Sequence, residues 1–167
     1  MMSRSSFAAP IEKRYFEDYI AGAVYEFGAI KVEQDEIIDF ARRFDPQDFH
    51  TDPAAAKNTH FNGLVASGWH TAGLMMRLYA EHYLSKTASL GSPGVDELRW
   101  IKPVRPGDEL SIRVTVLETK NSRSKPDRGI VHSLIEVMNQ NREIVMRMKA
   151  VNFLSCRKKS RSDNSVL

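Results

Sequence analysis

Asp45 and His50 stand five residues apart around a proline, in the stretch Phe44-Asp45-Pro46-Gln47-Asp48-Phe49-His50. A carboxylate and an imidazole facing one double bond can share the work of hydrating a conjugated thioester. One carbon receives water stripped of a proton, and its neighbour receives a proton. On a continuous helix this spacing would put the two side chains on different faces, whereas an Asp-Pro loop lets them converge. The same residues also fit a plainer reading, with Asp45 closing a helix and His50 serving as a hydrogen-bonded loop residue. Further along, Ser67-Gly68 opens a long apolar stretch. Ser67 suits an N-cap, and free N–H groups at a helix start can hold an oxygen on which negative charge develops. Glycine there lets another group approach the backbone closely. Taken alone, this pair too reads as a cap with a packing glycine. The two signals lie near each other and would serve one reaction.

The flanking elements explain how these groups are delivered. In 33–44, Ile37, Phe40, Ala41 and Phe44 recur at helical spacing, with Glu33, Asp35 and Glu36 in the first turn and Arg42 and Arg43 in the last. Those charges complement the helix dipole, and Pro46 disfavours helical geometry at Asp45, so the helix should stop there. Residues 51–66 mix turn-forming and small residues and are assigned to no element. Residues 68–84 are apolar on almost every side, as expected of a central helix buried all round. A Gly/Ser/Pro-rich break over 85–94 follows. Strands are then expected over 95–104, 110–116, 130–138 and 144–154, with turns at 105–108 and 139–142, and an earlier, weaker one over 24–32. Consecutive strands with short turns make an antiparallel sheet, and one buried helix beside it gives an α+β domain in which the sheet wraps the helix. Such a sheet leaves an edge strand, which dimerisation edge to edge would cover.

A chain of 167 residues fits a single domain, here placed at 13–155, with a flexible segment over 1–12 and a basic, disordered tail over 156–167. Cys156 is the only cysteine, which fits a reducing cytoplasm. Neither a secretory h-region nor an apolar run of membrane-spanning length is seen, so a cytoplasmic location and no membrane partner are expected. The net charge of +3 concentrates in 157–161 and in the loop 120–128. Without interleaved aromatics these bases do not make a nucleic-acid surface. They read as solvated charge or, more sharply, as attraction for a polyanion such as coenzyme A. His60, His70 and Asp52 fit no familiar zinc spacing, and Asp45, Asp48 and Asp52 form no calcium loop, so no metal site is expected. His82, Met75 and Met76 read as ordinary helix and core residues.

At these residues the chain resembles the MaoC-like dehydratase family, the (R)-specific enoyl-CoA hydratases of the hot-dog fold. The family's hydratase motif runs roughly D-x-N-P-aliphatic-H, and residues 45–50 occupy it. The glycine opening the hot-dog helix matches Gly68 within Gly63-Leu64-Val65-Ala66-Ser67-Gly68-Trp69-His70-Thr71. Arg99-Trp100, Pro103-Val104-Arg105-Pro106-Gly107-Asp108 and Asn139-Gln140 extend the likeness over about residues 15–153. The resemblance implies reversible hydration of a 2-enoyl-CoA to a 3-hydroxyacyl-CoA in a homodimer, with sites at or near the subunit interface. It implies Asp45 and His50 as the acid–base pair and the Gly68 N–H as oxyanion donor. Gln47 and Ser67 are expected at the substrate. No cofactor is implied beyond the coenzyme A carried by the substrate. Gln47 replaces the motif's Asn and Asp48 its Pro, which lengthens one amide arm and adds a charge beside the pair. Two other readings stay open: a thioesterase on the same fold, marked by free thiol release, and an acyl-CoA binding module without turnover.

Overall fold

A computed structural model describes residues 4–158. Five strands, β1 (Val24–Lys31), β2 (Gly94–Trp100), β3 (Glu109–Asn121), β4 (Arg128–Met138) and β5 (Ile144–Ser155), form one sheet in the order β1-β3-β4-β5-β2. Every neighbouring pair is antiparallel. The period-two pattern sets which side faces the core. Ile112, Val114 and Val116 on β3, Val131, Ile135 and Val137 on β4, and Met146, Met148 and Ala150 on β5 are buried. The register places Ile112 opposite Val137 and Ile135 opposite Met148, so the apolar face is continuous across strands.

Among the described residues there are also two short 3-10 helices, Ile11–Lys13 and Phe16–Asp18, and four α-helices: α1 (Gln34–Phe44), α2 (Asp48–Thr51), α3 (Pro53–Ala56) and α4 (Gly68–His82). The sheet holds α4 through two buried polar contacts. Tyr79 Oη donates to Asn152 Oδ1 at 2.7 Å, and Tyr83 Oη lies 3.0 Å from Ser133 Oγ. Each buried hydroxyl is satisfied, so neither carries the desolvation cost of an orphan. The C-terminal end of α4 is capped by Arg14, whose Nη1 donates to the carbonyls of His82 and Tyr83 at 2.6 and 3.2 Å. The guanidinium also lies over Phe7, 3.7 Å from the ring centroid, and Phe7 stacks on Tyr25 at 4.1 Å. Contacts thus reach into the segment expected to be flexible over 1–12: Phe7 packs on Tyr25, and the Ala9 carbonyl accepts from Arg14 Nε at 3.1 Å. At the other end, Arg157 bonds Asp18 at 2.6 Å, while the rest of the expected tail, from residue 159, lies outside the described residues, as do residues 1–3.

The expected elements shift in two places. The first strand after the break ends at Trp100 and not at 104, because Ile101 and Lys102 bend to share the carbonyl of Val145. Helix α4 is buried on one side only: His70, Thr71, Leu74, Met75, Leu78 and Tyr79 are covered, while Trp69 and Met76 are exposed. A single curled sheet covers one face of a helix and, among the described residues, leaves Trp69 and Met76 exposed on the other. Among the described residues no helix is long and apolar enough to cross a membrane.

The seat of α1 on α4 contains an unsatisfied histidine. His70 is buried with neither ring nitrogen hydrogen-bonded, and its ring stacks on Phe40 of α1 at 5.0 Å. Burial lowers its pKa, offset in part by Glu36, whose Oε1 lies 3.8 Å from Nε2. The unfolded chain thus takes up this proton first. The neutral ring's contribution to stability is present above the unfolded value, near about 6.5, and drains away as pH falls below it. His70→Phe keeps the stacking ring and removes the titration. Thermal unfolding followed across pH 5 to 8 should therefore show a shallower acid loss in H70F than in the wild-type chain.

Candidate active site

Helix α1 ends at Phe44 because Asp45, ahead of Pro46, leaves helical geometry (φ −153°, ψ 67°). Its N–H still closes the last turn on Ala41. The short turn α2 then carries His50 inward, where it is 6 % exposed. Asp52 ends that turn and starts the next: its Oδ1 accepts from the N–H groups of Ala54 and Ala55, with Pro53 at the first helical position. Residues 64–66 return beneath α2, pinned by Val65 N–H to Phe49 O and Ala66 N–H to Val104 O. The chain then enters α4 through Ser67.

These turns bring Asp45 and His50 together, with His50 Nε2 3.4 Å from Asp45 Oδ2. His50 Nδ1 lies 2.7 Å from the Val65 carbonyl, which can only accept; Nδ1 therefore carries a proton, and in the neutral ring Nε2 offers its lone pair toward Asp45. Asp45 is braced on both oxygens. Ser67 Oγ donates to Oδ2 at 2.6 Å, and Gln47 Nε2 donates to Oδ1 at 2.7 Å. Partial burial pushes the Asp45 carboxyl up, but the bonds from Ser67 and Gln47 and the neighbouring imidazole outweigh it and hold the pKa below its ordinary value. The carboxylate is accordingly charged at neutral pH. Ser67 Oγ also accepts the Trp69 N–H at 3.3 Å, so the N-cap and the brace are one hydroxyl.

The pair opens into a cavity of about 610 Å³, lined among others by Phe44, Phe49, Phe61, Val65, Trp69 and Trp100. Gly68 lies in its wall. As the first residue of α4 it has no preceding helical turn to accept its N–H. The close approach that glycine permits here is made by Trp100: a Cβ at position 68 would lie 2.4 Å from the indole ring. Three features escaped the sequence reading. The Val65 carbonyl that sets the tautomer carries no side-chain signal. Phe61 falls in 51–66, which the sequence assigns to no element. Trp100 stood in a recognised Arg-Trp pair without an assigned role.

Gln47 and Ser67, expected at the substrate, both direct their side chains to Asp45. Asp48 is exposed in the first turn of α2. The basic loop 120–128 joins β3 to β4 at the far end of the sheet. Arg128 pairs with Ser155, whereas Trp100 pairs with Met146. Nine strand residues separate those two levels, about 30 Å along β5, so the loop does not border its own chain's cavity. Among the described residues no cluster of three or more metal-ligating side chains occurs. His60 lies tilted against Phe61, ring centroids 3.9 Å apart, and Asp52 caps α3.

Residues 17–138 match the family model for the MaoC-like domain. The chain belongs to the MaoC-like dehydratase family. A structure of a MaoC-like dehydratase from Rhodospirillum rubrum is 40% identical, covers 87% of this chain and 99% of its own, and superposes with a TM-score of 0.81. An uncharacterized protein of Bacillus subtilis, YdeM, is 33% identical over 124 residues, which is 74% of this chain and 86% of that one. The unliganded R-hydratase PhaJ1 from Pseudomonas aeruginosa is 23% identical, with a TM-score of 0.67 and coverage of 91% and 96%. At that identity the likeness establishes the shared fold, the hot-dog fold of this family.

If Ser67 is half of the brace, Ser67→Ala must raise the Asp45 carboxyl toward its ordinary value. A folded pKa held low contributes stability present above the unfolded value and lost as pH falls through the folded one, so S67A also shrinks that contribution. Carboxyl carbon shifts followed by NMR through the acid range are the check, with Asp45 titrating at higher pH in the variant.

Proposed function

We propose that the protein hydrates a 2-enoyl thioester of coenzyme A, reversibly, to the 3-hydroxyacyl thioester. The observation that carries this reading is the 3.4 Å approach of His50 Nε2 to the braced Asp45 carboxylate, in a cavity whose wall holds the opening N–H of α4. A water hydrogen-bonded from the cavity to both Nε2 and the carboxylate gives a proton to the pair as its oxygen bonds to C3. The double-bond electrons move toward the thioester, and the Gly68 N–H stabilises the negative oxygen, helped by the positive end of α4. A proton then returns from the pair to C2, and the carbonyl reforms. One water is consumed and no electrons are exchanged, so the scheme calls on no metal or redox cofactor. Fixing Asp45 and the His50 tautomer beforehand means that little reorganisation accompanies the proton transfers.

The test is hydration of crotonyl-CoA, followed as loss of conjugated-enone absorbance with free thiol monitored in parallel. Absorbance should fall without thiol release. Asp45→Asn and His50→Ala should each lower kcat by roughly 10²-fold or more. Near-normal turnover in either variant, or thiol release in step with absorbance, would sink the proposal.

A second copy of the chain is proposed as the partner. Strand β2 lies at one edge of the sheet, exposed along nearly its whole length, and exposed Val95, Trp100 and Ile101 run from it into the cavity rim. An unpaired edge with apolar flanks invites pairing. Light scattering on the purified chain should give twice the chain mass. Val95→Lys should weaken that association, and a monomer at micromolar wild-type concentration would refute it.

A further inference from the structure

Trp100, at the end of β2, touches one residue of the site in two ways. Its Nε1–H donates to the Gly68 carbonyl at 2.8 Å. Its ring covers the Gly68 Cα so closely that a Cβ would meet Cε2 at 2.4 Å and Cδ2 at 2.6 Å. Trp69 meets the same ring edge-on, with centroids 5.2 Å apart. Gly68 is therefore gripped from the sheet side, while Ser67 before it is tied to Asp45. The first residue of a helix has little of its own to hold it, because its N–H lies outside the internal ladder and helix ends fray. The direction of the Gly68 N–H then depends on what fixes the peptides on either side of it.

Resting on the hydration reading above, we propose that Trp100 is a positioning residue for the thioester oxygen: its indole locks the Gly68 backbone so that the N–H points into the cavity. The lock is delivered by an edge strand 32 residues further along the chain. It accounts for glycine at position 68 without requiring substrate to fill the space of a side chain. Because Trp100 acts through the backbone donor, its loss should weaken the hold on the charged transition state more than the hold on bound substrate. That difference separates positioning from simple packing.

The chain contains two tryptophans, so the full-length ¹⁵N-labelled protein gives two indole N–H signals, assigned with Trp69→Phe. The Trp100 indole proton should exchange with deuterium oxide more slowly than that of Trp69. Adding butyryl-CoA, a saturated thioester that cannot be hydrated, should shift the Gly68 amide resonance. Trp100→Phe keeps a ring but cannot donate. It should halve that shift or more, and lower kcat on crotonyl-CoA by about 10-fold or more with KM changed by less than about 2-fold. Equal exchange of the two indoles, an unaltered Gly68 response in W100F, or matched changes in kcat and KM would overturn the role of Trp100. A Gly68 amide that stays still in the wild-type protein, while other cavity resonances move, would instead overturn the oxyanion assignment in the hydration reading and Trp100's role with it.

Discussion

The hydrogen bond from Ser67 Oγ to Asp45 Oδ2, 2.6 Å long and closing a gap of 22 residues, joins the end of α1 to the start of α4. The site depends on that junction. Asp45 has left its helix and would otherwise swing with a four-residue turn, while Ser67 precedes a helix whose first N–H groups need acceptors. One hydroxyl serves both needs, taking the Trp69 N–H and giving its own proton to the carboxylate. The carboxylate also gains from lying near the positive end of α4, where a negative charge is favoured. A charged, directed acid and a capped helix start are thus the same local solution.

The remainder of the fold keeps α4 still. Its far end is closed by the buried guanidinium of Arg14 and tied to β5 and β4 through the hydroxyls of Tyr79, in the last turn, and Tyr83, the C-cap. With those contacts in place the helix start can carry chemistry. Its N-terminal turn is bordered by Asp45 on one side and Trp100 on the other, and exposed apolar side chains ring the opening. The edge strand that supplies Trp100 also carries the residues proposed to meet a second copy. The proposed association of two chains and the proposed oxyanion donor therefore depend on the same strand.

Gln47 shows how a departure from the family motif can be absorbed. The longer arm of glutamine curls back to its neighbour two residues earlier and donates to Asp45 Oδ1 at 2.7 Å. Asp48, the other departure, is exposed in the first turn of α2. An acidic residue is favoured there by the positive end of the turn.

Much of this was legible in the order of residues because it follows from local rules. The helical spacing of Ile37, Phe40, Ala41 and Phe44, the stop imposed by Pro46 and the Ser-Gly entry to α4 act within a few residues. The strand alternation at Leu110, Ile112, Val114 and Val116 is equally local. The sequence alone thereby determined the α+β class, the element order and the nearness of Asp45 and His50 along the chain. Tertiary structure decided what depends on distant partners. It turned the side chains of Gln47 and Ser67 to the Asp45 carboxylate, since their reach depends on where α1 ends relative to α4. It chose the His50 tautomer through a backbone carbonyl, a group that every residue carries and no sequence pattern marks. It set the basic loop at the far end of the sheet from the cavity, because antiparallel pairing fixes which strand ends meet. And it brought Trp100 onto Gly68, a contact created only when the sheet closes around the helix.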